Sequence, residues 1–383
     1  MYSNFICKNK KLILVFVCLA IVLLYVTPLK GGENASMLQA KELLLGKPYL
    51  PEKISWIEML EWKGNYYIAY PPMVTFLVLP YVFLNGKYLG AEAINSAIIF
   101  GSAILIFFLV KKLKGINQWA SLATIAYVLG TVNLRSAQVG SIWLLMHSLG
   151  NFFFLLSICF LVYRKSCFWT GFFFAIAFQV RYAILSAILV FPIYSFLHFK
   201  SSLKKWDFIY FILGLLCPCL LVWIFQFYLF GNPFLSAYSI IFEQWGIPHI
   251  FSLDHFYNNF KLYLFGMPKL LSKFPYLQFD YFGQAMWTIS PFLLGVLFLN
   301  LRHKFVWAFF PSAIIMFVTY LFYYHSGMTQ YGTRYVQDVF PILIPLSFAG
   351  FSHHRLWIRK LLPVMVWISV LLNLYIVAFN KFD

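Results

Sequence analysis

Apolar runs of about twenty residues, separated by short charged loops, recur along the whole of this 383-residue chain. Such runs constrain it more than any motif does. In hydrocarbon, each spanning segment must satisfy its own backbone hydrogen bonds, which admits helices or a closed barrel. The runs are continuous rather than alternating, so helices are predicted. Eleven spans are expected, at 12–28, 90–110, 117–134, 142–163, 166–180, 183–199, 207–229, 283–300, 305–323, 337–351 and 361–379. Charged residues make up 11% of the chain, against ~25% in soluble domains. The expected architecture is an all-α polytopic membrane protein forming one integral domain over 1–383.

Orientation follows from the basic residues. Lys8, Lys10 and Lys11 precede the first run, which reads as an uncleaved signal anchor with a cytoplasmic N-terminus. Threaded from there, the inner segments hold 16 Lys and Arg against the single acid Asp207, and the outer segments hold 13 against 11 acids. That is the positive-inside pattern. The net charge of +17 is therefore a topology signal, and no nucleic-acid partner is implied. The expected location is a bacterial inner or plasma membrane. The apolar stretch 71–84 is too short to cross, since a span needs ~20 residues. Crossing there would also put Lys111, Lys112 and Lys114 outside. It is expected as an interfacial helix opened by Pro71-Pro72.

The inner loops are too short for a nucleotide-binding unit, and no Walker or dinucleotide fingerprint occurs. Chemistry is expected in the outer loops, at about 29–89, 230–282 and 324–336. Glu92, Arg135, His147, Arg181 and Asp338 fall at or near the outer ends of spans, where ionisable groups are functional candidates. Arg334 and Asp338, four residues apart, can pair on one helix face, and an arginine at the membrane edge suits phosphate. Glu33, five residues after Pro28, can serve as a general base at the surface. No cluster of metal-ligand spacing occurs. The residues imply no cofactor and leave a divalent metal open.

One ordered set of residues resembles a known family. Gly64-Asn65-Tyr66-Tyr67 through Tyr70-Pro71-Pro72 to Leu79-Pro80, Trp143 to His147, Gly171 to Arg181, Phe230-Gly231-Asn232-Pro233 and Gly332-Thr333-Arg334-Tyr335 with Asp338 and Pro341 are similar to landmarks of GT-C membrane glycosyltransferases. Those are the family 39-like bacterial enzymes, related to protein O-mannosyltransferases and the aminoarabinose transferase. The resemblance implies a GT-C-like fold. It also implies inverting transfer of a hexosyl or pentosyl group from a polyprenyl-phosphate donor to an outer-face lipid, glycan or protein acceptor, within membrane lipid. Glu33 would be the base, standing alone where relatives carry Asp or Asp-Glu. Arg334, Arg181 and Lys63 would hold the donor phosphate, and Tyr67, Tyr70, Pro71, Pro72, His147, Tyr335 and Asp338 would line the substrate cavity. Two other readings stay open, the first of which shares an aromatic, cationic outer cavity. A transporter or flippase for a lipid-linked saccharide predicts internal repeats and mid-span polar groups, and a non-catalytic envelope-assembly scaffold predicts no turnover.

Overall fold

The computed structural model describes residues 2–28, 33–85, 90–199, 204–247, 249–328, 330–352 and 356–379, without the side chains of 2–11 and 356. The side chains of Lys8, Lys10 and Lys11, used above to orient the chain, lie outside this set, as do Lys200 and Arg355 among the inner basic residues.

Helix α1 (Tyr2–Val26) leads into a segment bearing α2 (Ala35–Leu44), a hairpin of β1 (Met59–Trp62) and β2 (Asn65–Ile68), and α3 (Pro72–Asn85). Then follow α4 (Glu92–Lys112), α5 (Ala120–Leu129), α6 (Asn133–Gln138), α7 (Ile142–Val162), α8 (Cys167–Val180), α9 (Val190–Phe199) and α10 (Lys205–Phe230). A second loop segment carries α11 (Ala237–Gln244), α12 (Phe256–Phe265) and the hairpin of β3 (Lys269–Leu270) and β4 (Leu277–Gln278). The chain ends with α13 (Met286–Ile289), α14 (Lys304–Leu321), α15 (Phe340–Ser352) and α16 (Leu356–Phe379).

Among the described residues, seven helices are long and apolar enough to cross a membrane, and Leu12–Val26, Pro72–Asn85 and Cys167–Val180 are shorter apolar helices. Two expected spans are interrupted by residues outside any helix. The 117–134 run breaks at Gly130, between α5 and α6. The 283–300 run is α13 followed by a 3-10 stretch, Pro291–Phe298. A break frees carbonyls that lipid cannot satisfy, and buried side chains take them. Ser290 Oγ donates to Gly130 O at 2.7 Å, Asn133 Nδ2 to Tyr127 O at 2.9 Å, and Asn373 Nδ2 to Ile289 O at 3.0 Å. The 14-residue α3 begins one residue inside the expected interfacial segment, with Pro72 at its first position, where no N–H is missed.

Burial ranks the helices. In the segment Arg334–Ser352, 94% of the apolar window is buried, and in α7 78%, against 22% in α10 and 33% in α16. The first two are the centre of the bundle and the last two its rim. Helices α8 and α10 meet at glycines. A Cβ on Gly171 would lie 2.1 Å from Phe211 O, and one on Gly214 2.0 Å from Phe168 O. Without a hydrophobic drive between helices in lipid, such backbone approach gains dispersion contact.

Candidate active site

The site lies where the N-terminal turn of α7 meets the segment leading into α15. Ser141 caps α7 by accepting from Leu144 N at 3.4 Å. Trp143, Met146 and His147, at i, i+3 and i+4, then share one face and line a polar chamber. The chamber's other walls include Glu58, Tyr70, Arg181, His325, Arg334 and Tyr335.

The β1–β2 hairpin delivers the carboxylate. Lys63 and Gly64 form its two-residue turn with φ of 51° and 76°, the conformation that matches strand twist. The register pairs Met59 with Ile68, and Ala69 N donates to Glu58 O at 3.1 Å. Glu58 thereby sits beside Tyr70. The Tyr70 hydroxyl donates to Glu58 Oε2 and accepts from Trp143 Nε1, so an indole N–H, a phenol and a carboxylate form one chain. Burial and the Glu58 charge push the Tyr70 phenol well above its ordinary value, which keeps it a neutral donor.

Below this chain lies a charged cluster. Asp338 is fully buried. It accepts from Arg181 Nε at 2.9 Å and from the Tyr320 hydroxyl, and its Oδ1 lies 2.6 Å from His147 Nδ1. Gly150 makes room for the Arg181 stem, since a Cβ there would lie 3.0 Å from Arg181 Cγ. The expected Arg334–Asp338 pair does not form. Residues Arg334–Val339 are a 3-10 stretch, whose three residues per turn carry position i+4 past position i. Asp338 turns instead to α7 and the end of α8. Arg334 keeps a buried Nε with no hydrogen-bond partner, next to an unpartnered Thr333 Oγ1. Gln330 Oε1 holds its backbone N–H at 2.8 Å. Both guanidiniums lie over Tyr335, at 5.4 Å from the ring centroid in each case, and Tyr320 stacks on that ring at 5.5 Å.

Tyr70, Met146, Arg181, Tyr238 and Tyr323 are walls of two cavities at once. They line the chamber and a neighbouring apolar cavity of about 240 Å³ that includes Pro71, Val180, Ala183, Ile250 and Phe251. The Tyr238 and Tyr323 hydroxyls meet at 2.8 Å across this partition. Burial pushes the Tyr238 phenol up to about 12, so the pair is neutral.

His147, Arg181, Arg334, Tyr335, Asp338 and Tyr70 thus converge. Tyr67, Pro71 and Pro72 line a smaller hollow behind Tyr70. Lys63 is exposed at the hairpin tip, and Glu33 is exposed before α2; neither lines the chamber. Asn34 caps α2, accepting from Ser36 N at 3.0 Å and donating to Gly140 O at 2.7 Å, and is fully buried. Glu58, Trp143, Tyr238, Tyr320, Tyr323 and His325 were not among the residues singled out for the site by sequence. A signal for Glu58 existed: the alternation about Lys63-Gly64 is a hairpin pattern, and its register carries Glu58 to Tyr70. No three His, Cys, Asp or Glu side chains converge as a metal site among the described residues.

No protein-family model matches the chain, and no curated protein matches it. Two solved structures do. One is ArnT from Cupriavidus metallidurans bound to undecaprenyl phosphate, with a TM-score of 0.58 and 13% identity over 93% of this chain and 63% of that one. The other is ArnT from the same organism in the apo state, at 0.53 and 12% over 91% and 61%. The chain spans about three-fifths of the length of the structures it matches. This likeness, with the apolar helices, shows an integral membrane protein of the GT-C fold.

Proposed function

We propose that this protein transfers a glycosyl group from a polyprenyl-phosphate carrier to an acceptor hydroxyl at the loop-bearing face of the membrane. One observation carries the reading: a chamber with two arginines shares a wall with an apolar cavity. That pairing fits an amphiphile whose anionic phosphate and apolar tail bind side by side. The structural neighbour bound to undecaprenyl phosphate supports the same donor class.

In this reading Arg334 and Arg181 grip the phosphate. As the sugar–phosphate bond breaks, charge builds on the phosphate oxygens, and cations already in place stabilise it without reorganising. Glu58, held by Tyr70, takes the acceptor proton while the acceptor oxygen attacks the opposite face of the anomeric carbon. The resemblance implies Glu33 as base; Glu58 is the carboxylate that lines the chamber, and the role is assigned to it here.

The test is sugar transfer by the purified chain from a panel of polyprenyl-phosphate sugars, with the variants Glu58→Gln and Glu33→Gln. Loss of a general base costs ~10²–10⁴-fold in rate. That loss is expected for Glu58→Gln, with Glu33→Gln near wild type. The reverse pattern moves the base to Glu33. No transfer from any donor overturns the reading.

A further inference from the structure

Asp338 orients more than Arg181. Its Oδ2 is taken by Arg181 Nε and the Tyr320 hydroxyl, and its Oδ1 faces His147 Nδ1 at 2.6 Å. An ionised carboxylate only accepts, so Nδ1 carries the proton and the Nε2 lone pair of His147 is left for the chamber that the ring lines. The orientation is fixed, since His147 is 1% exposed. The groups around it come from several elements. Asp338 and Arg334 come from the 334–339 stretch, whose Tyr335 ring centroid is 5.9 Å from that of His147. Arg181 comes from the end of α8, and Tyr320 of α14 stands behind Asp338. Glu58 and His325 line the same chamber. Trp143, which reaches Glu58 through Tyr70, is one turn nearer the helix N-terminus. Helix α7 therefore presents two proton-handling positions ~6 Å apart along its axis, with His147 on the side of the arginines.

We propose that His147 protonates the departing phosphate. The inference rests on the donor reading above and adds a residue to it. When the acceptor oxygen attacks the anomeric carbon, the bond from that carbon to the phosphate oxygen breaks and its electron pair stays with the phosphate. The diester monoanion becomes a monoester dianion, and the acceptor proton passes to Glu58. A dianion between two guanidiniums is held tightly and leaves slowly. As the second negative charge develops, water supplies a proton to Nε2. Asp338 at Nδ1 and the phosphate dianion at Nε2 then flank the imidazolium with opposite charge. Nε2–H donates to a phosphate oxygen while the carrier stays bound, passes the proton over as the carrier leaves, and the ring returns to neutral. Glu58 gives its proton back to water. One proton has left the acceptor and one has reached the phosphate, so the count closes.

The experiment is calorimetric titration of citronellyl phosphate, a short isoprenyl phosphate, into the detergent-solubilised full chain. It is run at pH 8 in buffers of different ionisation enthalpy. There the ligand is a dianion, because the second pKa of a phosphate monoester is ~6, and an ordinary histidine, near ~6.5, is neutral. Wild type is expected to take up close to one proton per ligand bound. Uptake should fall to near zero in H147Q, which keeps a polar side chain but does not titrate, and binding should weaken about tenfold. Equal uptake in H147Q, or none in wild type, overturns the proposal. Should H147Q fail to fold, nitrogen-15 NMR of labelled histidine in wild type decides. The Nε2 signal must move from the unprotonated to the protonated region when ligand binds at pH 8, and an unmoved signal overturns the proposal. Failure of wild type to bind citronellyl phosphate at all would overturn the donor reading, and this inference with it.

Discussion

Arg181 and Arg334 lie over the same tyrosine ring, each 5.4 Å from the centroid of Tyr335, yet they are not equivalent. Arg181 is bound to buried Asp338. Among the described residues Arg334 has no carboxylate partner, and its Nε makes no hydrogen bond. Arg334 is therefore the cation free to meet an incoming anion. Arg334→Ala is expected to weaken citronellyl phosphate binding at least tenfold, ~1.4 kcal/mol or more, with little change in thermal unfolding. Arg334→Lys should recover only part of the loss, because a point charge replaces a fork of donors. Binding isotherms of the three proteins check this. Unchanged affinity in Arg334→Ala removes Arg334 from the role.

Arg181 carries structure as well as charge. Its removal leaves Asp338 buried beside a histidine and a phenol, and breaking a buried pair from one side costs ~3–5 kcal/mol. Arg181→Met should lower the unfolding temperature markedly. Arg181→Met with Asp338→Asn should regain most of that loss, since the uncompensated charge is gone. A double-mutant cycle by thermal unfolding in detergent measures the coupling. Additive losses would show that the two residues do not act as a pair.

Much of this arrangement is legible in the sequence, and the parts that are not have physical reasons. Continuous apolar runs identify a helical membrane protein because lipid permits little else. The short apolar run after Tyr70 predicts a short helix over 71–84, and α3 matches those bounds to within a residue. His147, Arg181, Arg334 and Asp338 are candidates from their places at span ends and Tyr335 from the resemblance, and the fold gathers them. Arg334 and Asp338 do not pair as α-helix periodicity predicts, because the chain over Arg334–Val339 is 3-10. Glu58 is not singled out by sequence because Glu33, in the same outer loop, lies nearest the first span and matches the place of the family's base. Its hairpin register is a local signal, but the partner strand leads to Tyr70, whose contact with Trp143 spans 73 positions. No local pattern encodes a contact of that separation.

The α8–α10 contact makes a sharper demand than burial alone. Gly171 and Gly214 each face a carbonyl on the partner helix at a distance no Cβ tolerates. Flexible side chains cannot yield there, because the obstructing atoms are backbone. Gly171→Ala and Gly214→Ala are each expected to destabilise by ~1–3 kcal/mol through overpacking. Once the first has pushed the helices apart, the second should add less than its own value. Unfolding temperatures of the two single variants and the double variant test this, and a strictly additive double variant would contradict it.

His325 supplies a pH dependence whose sign can be worked out. Burial and the nearby Arg334 guanidinium hold it below the ordinary imidazole value, with Glu58 opposing. Its Nδ1 also accepts the Gly327 N–H at 2.7 Å. The unfolded chain thus binds a proton at His325 more readily than the folded one. Stability from this group is complete above ~6.5, the unfolded value, and is lost as pH falls from there through the lower folded value. His325→Asn retains a side-chain acceptor for Gly327 but does not titrate. Both proteins will lose stability in acid through their other groups. The wild-type advantage in unfolding temperature over His325→Asn should nevertheless shrink as pH goes from 7 to 5. A gap that stays constant or widens over that range would mean that His325 is not held neutral by the fold.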